Sequence, residues 1–491
     1  MHTQFTVLIT AEEAFPEFER KVLQAEHSIL AGFRIFDMNT RLRSPEAREI
    51  GETWFDLLAH VVSRGVSFDL TVSDFDPVMA TSLHEASWRT VRQGAALAEV
   101  VGDHRDLVRV RADMHAAVAG MVPRLAFLPS VLRRKKKALE TRKDASAGGH
   151  AAHLKSKPVP ELHTVTHHHK LAVIDDTYLY VGGLDLNDRR FDTTDHDRPS
   201  SETWSDVQVM VQGDAVAQAR QHLEEFTSIA HGTTPPSKLP DLPRTLSRPR
   251  RIQFPYLSPR TVLDEIETSH IDAFERARHL IHIETQYLRS SRIAEAMANA
   301  AQKNPDLHAI VILPTAPDVL IHDGNDGLDT RYGISQEHDA VATLQDGFGL
   351  RIALATPVRP EMAQRPGATT LAGSEMIHVH SKVLIRDADE VMIGSANLNG
   401  RSLRWDTEAA VRTTDPDQVL AARKKLLGHW WFKKPPARAF DPETLFGWWS
   451  HEIRKNAVMQ PTSRSGFLVP YNAKATANLE QRLPGVTEDI V

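Results

Sequence analysis

One motif occurs twice in this chain, and its recurrence constrains the fold more than any other feature. Val165 to Arg190 reads VTHHHKLAVIDDTYLYVGGLDLNDRR, and Ile377 to Ser402 reads IHVHSKVLIRDADEVMIGSANLNGRS. The two segments align without a gap at an offset of 212 residues, 168 onto 380. His168 falls on His380, Lys170 on Lys382, Asp175 on Asp387 and Gly182 on Gly394. Self-similarity in fixed register signals a duplicated structural unit. Each copy reads as an alternating strand-like run, a polar turn, a second apolar run and a glycine-containing turn.

The repeat extends in both directions. AEHSILAGFRIFD (Ala25 to Asp37) lines up with RARHLIHIETQYL (Arg276 to Leu288). Each is followed by a helical stretch and a further strand, FDLTV at Phe68 to Val72 and LHAIVIL at Leu307 to Leu313. Downstream, Asp206 opens DVQVMVQG and Glu408 opens EAAVRTTD. The expected fold class is therefore α/β: two sandwich-like halves related by a pseudo-twofold, with strands and helices layered in each. The stretch GTTPPSKLPDLPRTLSRPRR, rich in Pro and Ser, reads as a linker. It sets expected bounds of 1–235 for the first half, 236–251 for the linker, 252–430 for the second half and 431–491 for an extension. That extension is expected to pack back through Trp448 and Trp449.

Residues two apart on a strand point the same way, so His168 shares a face with Lys170, and His380 with Lys382. The apolar neighbours Leu171 and Val173 suggest a strand buried on both sides. An imidazole beside an ammonium suits an anion, and phosphate is the natural candidate. Two such sites joined by the pseudo-symmetry would set two histidines across one phosphate. One can attack phosphorus while the other protonates the leaving oxygen. One is expected neutral and the other charged near neutral pH, the two titrating as a coupled pair. The lysines would neutralise the non-bridging oxygens, with Ser395 and Asn397 as neutral donors. No metal or other cofactor is needed for this scheme. Each histidine also needs its second ring nitrogen held, and an acid opening the next strand fits: Glu408 lies 28 residues beyond His380, and Asp206 lies 38 beyond His168. The longer spacing falls in the loop Phe191 to Ser200, expected to shape the mouth of the site.

These residues resemble the phospholipase D superfamily, whose signature is His-x-Lys-x4-Asp followed by Gly-Gly or Gly-Ser and an Asn. The second copy, HSKVLIRD with GSANLNGRS and WDTE, is an especially full match. The first carries GGLDL, with Asp185 where many bacterial members have Asn; this looks like the eukaryotic-type enzymes. So does IETQY at Ile283 to Tyr287, similar to their Ile-Glu-Asn-Gln-aromatic segment. The resemblance covers roughly 25–430 and is weakest over 75–150 and 315–365. It implies two packed α/β halves with one active site at the seam. It implies the catalytic set His168, Lys170, Asp175, His380, Lys382 and Asp387. Within it, His168 would form a phosphohistidine and His380 would act as acid and then base. Lys170, Lys382, Ser395 and Asn397 would bind phosphate, Asp206 and Glu408 would orient the histidines, and Asp175 and Asp387 would support the motif more than touch substrate. Asp185, Glu284 and Gln286 are candidates for lining the site, with strand-edge capping the alternative for the last two. The implied activity is hydrolysis of a phospholipid headgroup, or its transfer to an alcohol. A superfamily nuclease, a cardiolipin-synthase-like phosphatidyltransferase and a non-catalytic lipid- or nucleic-acid-binding scaffold are the rivals.

Composition trims these options. The chain has 491 residues and no cysteine, which excludes a disulfide framework and a thiol nucleophile. Its net charge of −6 counts against a polynucleotide groove. Met121 to Lys143 nevertheless carries eight basic residues and one acid, a composition suited either to a solvated helix or to an anionic membrane surface. His167, His168 and His169 have the wrong spacing for a zinc cluster on a strand, since neighbours point to opposite faces. His163, His167 and His169 are expected at solvent or in a groove. The pairs Trp430, Trp431 and Trp448, Trp449 are expected in the core. The start of the sequence, MHTQFTVLITAEEAF, lacks the pattern of a signal peptide, so a cytoplasmic site with peripheral membrane contact is expected. The substrate partner is a phospholipid, and a duplicated chain holds both half-sites, so a monomer suffices for catalysis.

Overall fold

The computed structural model describes residues 4–141, 161–315, 327–365, 367, 369–482 and 488–490. The last two residues of the basic segment at 121–143, and residues 316–326 of the weakly matching stretch, lie outside them.

Two mixed sheets dominate. The first contains β1 (Gln4–Ile9), β2 (Ser28–Phe33), β3 (Ser67–Ser73), β4 (Val108–Asp113), β5 (Lys170–Ile174), β6 (Tyr178–Gly182) and β7 (Val207–Gln212). Their spatial order is β1-β7-β6-β5-β2-β3-β4. The remaining strands are β8 (Arg244–Arg248), β9 (Arg260–Asp264), β10 (Leu280–Glu284), β11 (His308–Ile312), β12 (Ile352–Pro357), β13 (Thr370–Leu371), β14 (Ser374–Glu375), β15 (Val383–Arg386), β16 (Glu390–Gly394), β17 (Glu408–Thr413) and β18 (Leu468–Pro470). All but the small β13-β14 hairpin form the second sheet, ordered β18-β12-β11-β10-β15-β16-β17-β8-β9. Without its edge strands β18 and β9, this sheet repeats the first strand for strand. In each, three parallel strands (β2-β3-β4, β10-β11-β12) join an antiparallel hairpin that carries the motif. β8, which falls within the linker expected at 236–251, is a buried strand hydrogen-bonded to β17.

The core explains why the motif strands read as apolar on both faces. Leu171 and Val173 of β5 and Val383 and Ile385 of β15 share one cluster with Val209 and Val411, so the two sheets stack face to face. Ala172 and Ile174 turn the other way, onto Phe15 and Phe18 of the helix Thr10–Leu23 and Trp54 and Leu57 of the helix Trp54–Ser63. Leu384 and Met392 do the same in the second half, against Phe274, Met297 and Leu344 from three helices. The result is a helix–sheet–sheet–helix sandwich with alternate residues of one strand feeding two different cores. The C-terminal segment closes the second half: β18 pairs antiparallel with β12, and Trp430, Trp431 and Trp449 are buried in the inter-sheet cluster with Trp448 packed against it.

Candidate functional site

The two motif strands enter the site through an exchange of backbone hydrogen bonds between the halves. His168 N and His169 N both donate to Thr407 O (2.9 and 2.8 Å), and Thr407 N donates to Thr166 O (3.0 Å). In the other half His380 N donates to Ser205 O (2.7 Å), and Ser205 N donates to His378 O (2.8 Å). The segment before each histidine therefore pairs with the residue that precedes the other half's acid. Asp206 and Glu408 follow Ser205 and Thr407, so each carboxylate is delivered to the histidine of the opposite half. Asp206 Oδ2 lies 2.6 Å from His380 Nδ1, and Glu408 Oε1 lies 2.8 Å from His168 Nδ1. The chain spacings of 28 and 38 residues suggested a partner within each half; the crossed strands reverse the pairing.

The glycine–glycine and glycine–serine forms of the signature have a steric reading here. A Cβ at Gly183 would stand 2.1 Å from Asp206 Oδ1, so the first copy leaves room for the carboxylate. Its counterpart, Ser395, is buried and donates its hydroxyl to Glu408 Oε2 (2.5 Å), while Ala409 N donates to the same Oγ (3.2 Å). Ser395 was expected to face the phosphate. Its hydroxyl is instead turned onto Glu408, which makes it a support for the longer acid. Asn397 donates through Nδ2 to Gln286 Oε1 (3.3 Å), and its Oδ1 is left without a partner.

Both lysines are buried. Lys170 Nζ lies 3.3 Å from His168 Nδ1 and also donates to His168 O, and Lys382 Nζ donates to His380 O. Burial strips water from every charge in this space. It pushes the Asp206 carboxyl up to about 7 and the Glu408 carboxyl up to about 8, against the pull of Lys382 and Lys170 respectively. It pushes Lys382 down to about 7, and Lys170 below its ordinary value. Both histidines are driven well below the usual imidazole range, first by burial and then by the neighbouring lysines. Each histidine feels the lysines of both copies, which marks one shared site. Burial thus favours the neutral form of both imidazoles in the free protein.

Asp175 and Asp387 sit at the far ends of β5 and β15 from the histidines. Asp175 accepts from the amides of Glu26, His27 and Ser28 (2.8, 2.8 and 2.9 Å), and Asp387 from those of Arg278, His279 and Leu280 (2.9, 2.8 and 2.8 Å). Both adopt positive φ, 52° and 51°. They pin the hairpin turn to the start of the neighbouring strand. Glu284 is held by Trp430 Nε1 (2.9 Å) and His282 Nε2 (3.1 Å), while Gln286 lies against Asn397 and His378. The histidines expected at solvent or in a groove are structural at two positions. His167 is buried between Thr407 and Asp113, and His169 against His222. Among the described residues no group of three His, Asp or Glu side chains is placed to hold a metal ion.

Four site residues escaped the sequence reading. Trp204 packs against His380 in a tilted ring contact (centroids 4.6 Å apart, planes at 36°) and donates from Nε1 to Asp206 Oδ2 (3.3 Å). Arg190 sits over Trp204, its guanidinium 3.6 Å from the ring centroid, and its charge reaches His380. Arg34 lies 3.4 Å from Asp185, and its charge reaches His168, as does that of Arg401. Arg34 and Asp185 occupy the places that Gln286 and Asn397 hold in the other half. An ion pair in one half thus answers a neutral amide pair in the other. The sequence alignment of Ala25–Asp37 with Arg276–Leu288 set Arg34 opposite Thr285; the strand register, with Ile29 opposite Ile174 and Ile281 opposite Arg386, moves it by one residue onto Gln286.

Residues 270–430 match the family model described as "Cardiolipin synthase, PLD-like domain". The chain is 27% identical to human "Phospholipase D1" over 182 residues, which is 32% of this chain and 17% of that protein. It is 24% identical to "Cardiolipin synthase A" of Pseudomonas syringae over 262 residues, 51% of this chain and 44% of that one. The chain thus spans less than half the length of these relatives. Among solved structures, the phosphatidylserine synthase of Haemophilus influenzae superposes with a TM-score of 0.52 at 14% identity, covering 92% of this chain and 94% of the other, and so shares the fold. The duplicated His-x-Lys-x4-Asp strands meet at one seam between two topologically equivalent sheets; residues 270–430 hold a domain of the phospholipase D superfamily, and the chain is distantly similar to phospholipase D and cardiolipin synthase.

Proposed function

We propose that the chain cleaves a phosphodiester bond in a phospholipid headgroup, through a covalent intermediate on His168. The reading rests chiefly on one observation: each site histidine has its Nδ1 against a carboxylate from the opposite half. Where the carboxyl is ionised it accepts, so Nδ1 carries the hydrogen and Nε2 presents its lone pair; with Asp206 pushed up to about 7 and Glu408 up to about 8, this form is reached as the pH rises through those values. His168 Nε2 attacks phosphorus, the bond from phosphorus to the headgroup oxygen breaks, and His380 donates the proton that the leaving oxygen needs. Water or an alcohol then gives its proton to His380 and attacks phosphorus, and the P–N bond breaks. Lys170, Lys382 and Asn397 stabilise the charge that builds on the non-bridging oxygens. Ser395 acts through Glu408 rather than on phosphate. A bound phosphate anion raises the pKa of both lysines and of His380, so substrate itself prepares the acid.

Transfer of the phosphatidyl group to the glycerol hydroxyl of a second phosphatidylglycerol, as a cardiolipin-synthase-like enzyme would do, is the second reading. The family model matched over 270–430 favours it. The two differ only in the acceptor of the second step. Incubation with phosphatidylcholine and ethanol, with phosphatidylglycerol alone, and with single-stranded DNA separates them. Phosphatidic acid or phosphatidylethanol supports the first reading, and cardiolipin with free glycerol the second. Nicked DNA with intact lipid would overturn both in favour of a nuclease.

A further inference from the structure

The helix Met121–Thr141 begins against the segment that follows β8. Gly120 N donates to Tyr256 O (2.8 Å) and Val122 N to Phe254 O (3.2 Å). A Cβ at Gly120 would stand 1.9 Å from Gln253 O, so the two segments meet backbone to backbone. Their junction gathers large apolar side chains at the surface. Ile252 is 73% exposed, and Met121, Leu125 and Phe254 are each 58% exposed; Leu132 is exposed as well. Met121, Leu125 and Leu132 stand at i, i+4 and i+11, one stripe of the helix. Scattered exposed apolar residues need no explanation, but a contiguous patch marks a surface that something covers.

What surrounds the patch identifies the cover. Beside Ile252 and Tyr256 lies an open cavity of about 800 Å³, lined by Arg248, Arg250, Arg251 and Arg260. None of the described residues lining it is acidic. Arg133 and Arg134 are exposed on the helix. An aliphatic patch rimmed by arginines is complementary to an anionic bilayer: side chains enter the acyl region while guanidinium groups stay at the phosphates. Polynucleotides are gripped by basic grooves interleaved with stacking aromatics; Phe254 and Tyr256 are exposed here, but they stand among Ile252, Met121, Leu125 and Leu132, which gain little from bases and much from acyl chains. The patch is also joined to the site. Ala119 N donates to Leu162 O (2.8 Å) and Thr164 Oγ1 to Leu257 O (3.4 Å), and Thr164 precedes His168 by four residues.

We propose that residues 121–134 and 248–260 together form a docking surface for an anionic phospholipid bilayer. Its purpose rests on the lipid reading above, but its existence is measured without turnover. The test pellets the full chain with sucrose-loaded vesicles of phosphatidylcholine alone or enriched in phosphatidylglycerol. Cleavage of bis(p-nitrophenyl) phosphate in solution is followed in parallel. Strong pelleting is expected only with the phosphatidylglycerol vesicles, weakening as salt rises. The pair Ile252→Ser with Phe254→Ser, and the pair Arg251→Ser with Arg260→Ser, are each expected to weaken binding by about tenfold or more. Solution cleavage and thermal midpoint should be unchanged in both. Equal pelleting with both vesicles, unaltered binding in the variants, or displacement of wild type from vesicles by an oligonucleotide at stoichiometric amounts would overturn the proposal. Cleavage without vesicle binding removes the surface alone. Vesicle binding without any diester cleavage removes the catalytic reading and leaves the surface standing.

Discussion

Asp206 Oδ2 lies 2.6 Å from Nδ1 of His380, a histidine 174 residues further along the chain and in the other sheet. Glu408 Oε1 lies 2.8 Å from His168 Nδ1, at ion-pair distance but without the hydrogen-bond alignment of the first pair. Neither half holds a complete histidine–carboxylate pair. The duplication therefore does more than supply two copies of a site; it makes each copy depend on the other. Asp206→Asn should test this dependence. The amide can present a donor to Nδ1 and stabilise the wrong tautomer, so kcat should fall on the order of 10²- to 10⁴-fold with the fold retained. The acid limb of the pH–rate profile should move with it, because the group coupled to His380 no longer titrates. A variant with unchanged kcat and pH profile would leave Asp206 a strand-end acid only.

Lys382 gives a pH dependence whose sign is fixed by burial. Its amine is pushed down to about 7, and only the charged form attracts phosphate. Raising the pH through that value empties the charged form, so kcat/KM should decline on the alkaline side. Because the substrate phosphate restores charge to the amine, the decline should be carried by KM more than by kcat. Steady-state kinetics from pH 6 to 9 would show it. A kcat/KM that keeps rising through this interval would contradict it.

Asp175 is expected to matter for stability rather than for chemistry. Replacing it by Ala abandons three amide donors, each worth about 1 kcal/mol, so a loss of about 3 kcal/mol in unfolding free energy is expected by denaturant titration. Its left-handed backbone, φ 52°, adds to the penalty for a residue with a Cβ and no side-chain acceptor. At a temperature where the variant is folded, its pH–rate profile should match the wild type.

His270 is buried, bonded from Nδ1 to Ile266 O, and pushed down to about 4 by burial. Its unfolded form takes a proton near pH 6.5, its folded form only near 4. Between those values the unfolded chain binds the extra proton, so this residue's stabilising contribution is present above pH 6.5 and is lost as the pH falls toward 4. His270→Asn should remove that dependence, flattening the slope of unfolding free energy by about 1.4 kcal/mol per pH unit within the interval. Denaturant titrations at pH 4.5, 5.5 and 6.5 would measure the difference.

The duplicated motif was legible because its chemistry and its fold use the same residues. Leu171, Val173, Val383 and Ile385 alternate into the inter-sheet core, and the histidines ride on the strands they form. The match between the two sheets followed from the same alignment. What spacing could not convey was the strand exchange at Thr407 and Ser205, because it depends on how the halves dock rather than on either half. The orientation of Ser395 toward Glu408 is hidden for the same reason: a hydroxyl beside a phosphate motif reads as a ligand until the longer acid is seen beneath it. Trp204 lies in the non-repeating stretch between the motif and Asp206, and Arg190 ends the repeated segment opposite Ser402, so neither has a counterpart of its own kind in the other copy. His167 and His169 look like groove residues by type, yet the docking of Asp113, Thr407 and His222 around them makes them part of the core.

The central claim is a covalent bond between phosphorus and His168, and it can be trapped. A phosphatidyl ester of p-nitrophenol has a leaving group that needs no proton, so His380→Asn should still complete the first step while the second stalls for want of a base. Alkaline quenching followed by peptide mass spectrometry should then find a phosphatidyl adduct on His168, with p-nitrophenol released in a burst equal to the enzyme present. His168→Asn should give neither burst nor adduct. An adduct on His380 in that second variant, or a stoichiometric burst with no modified histidine in the first, would contradict the account.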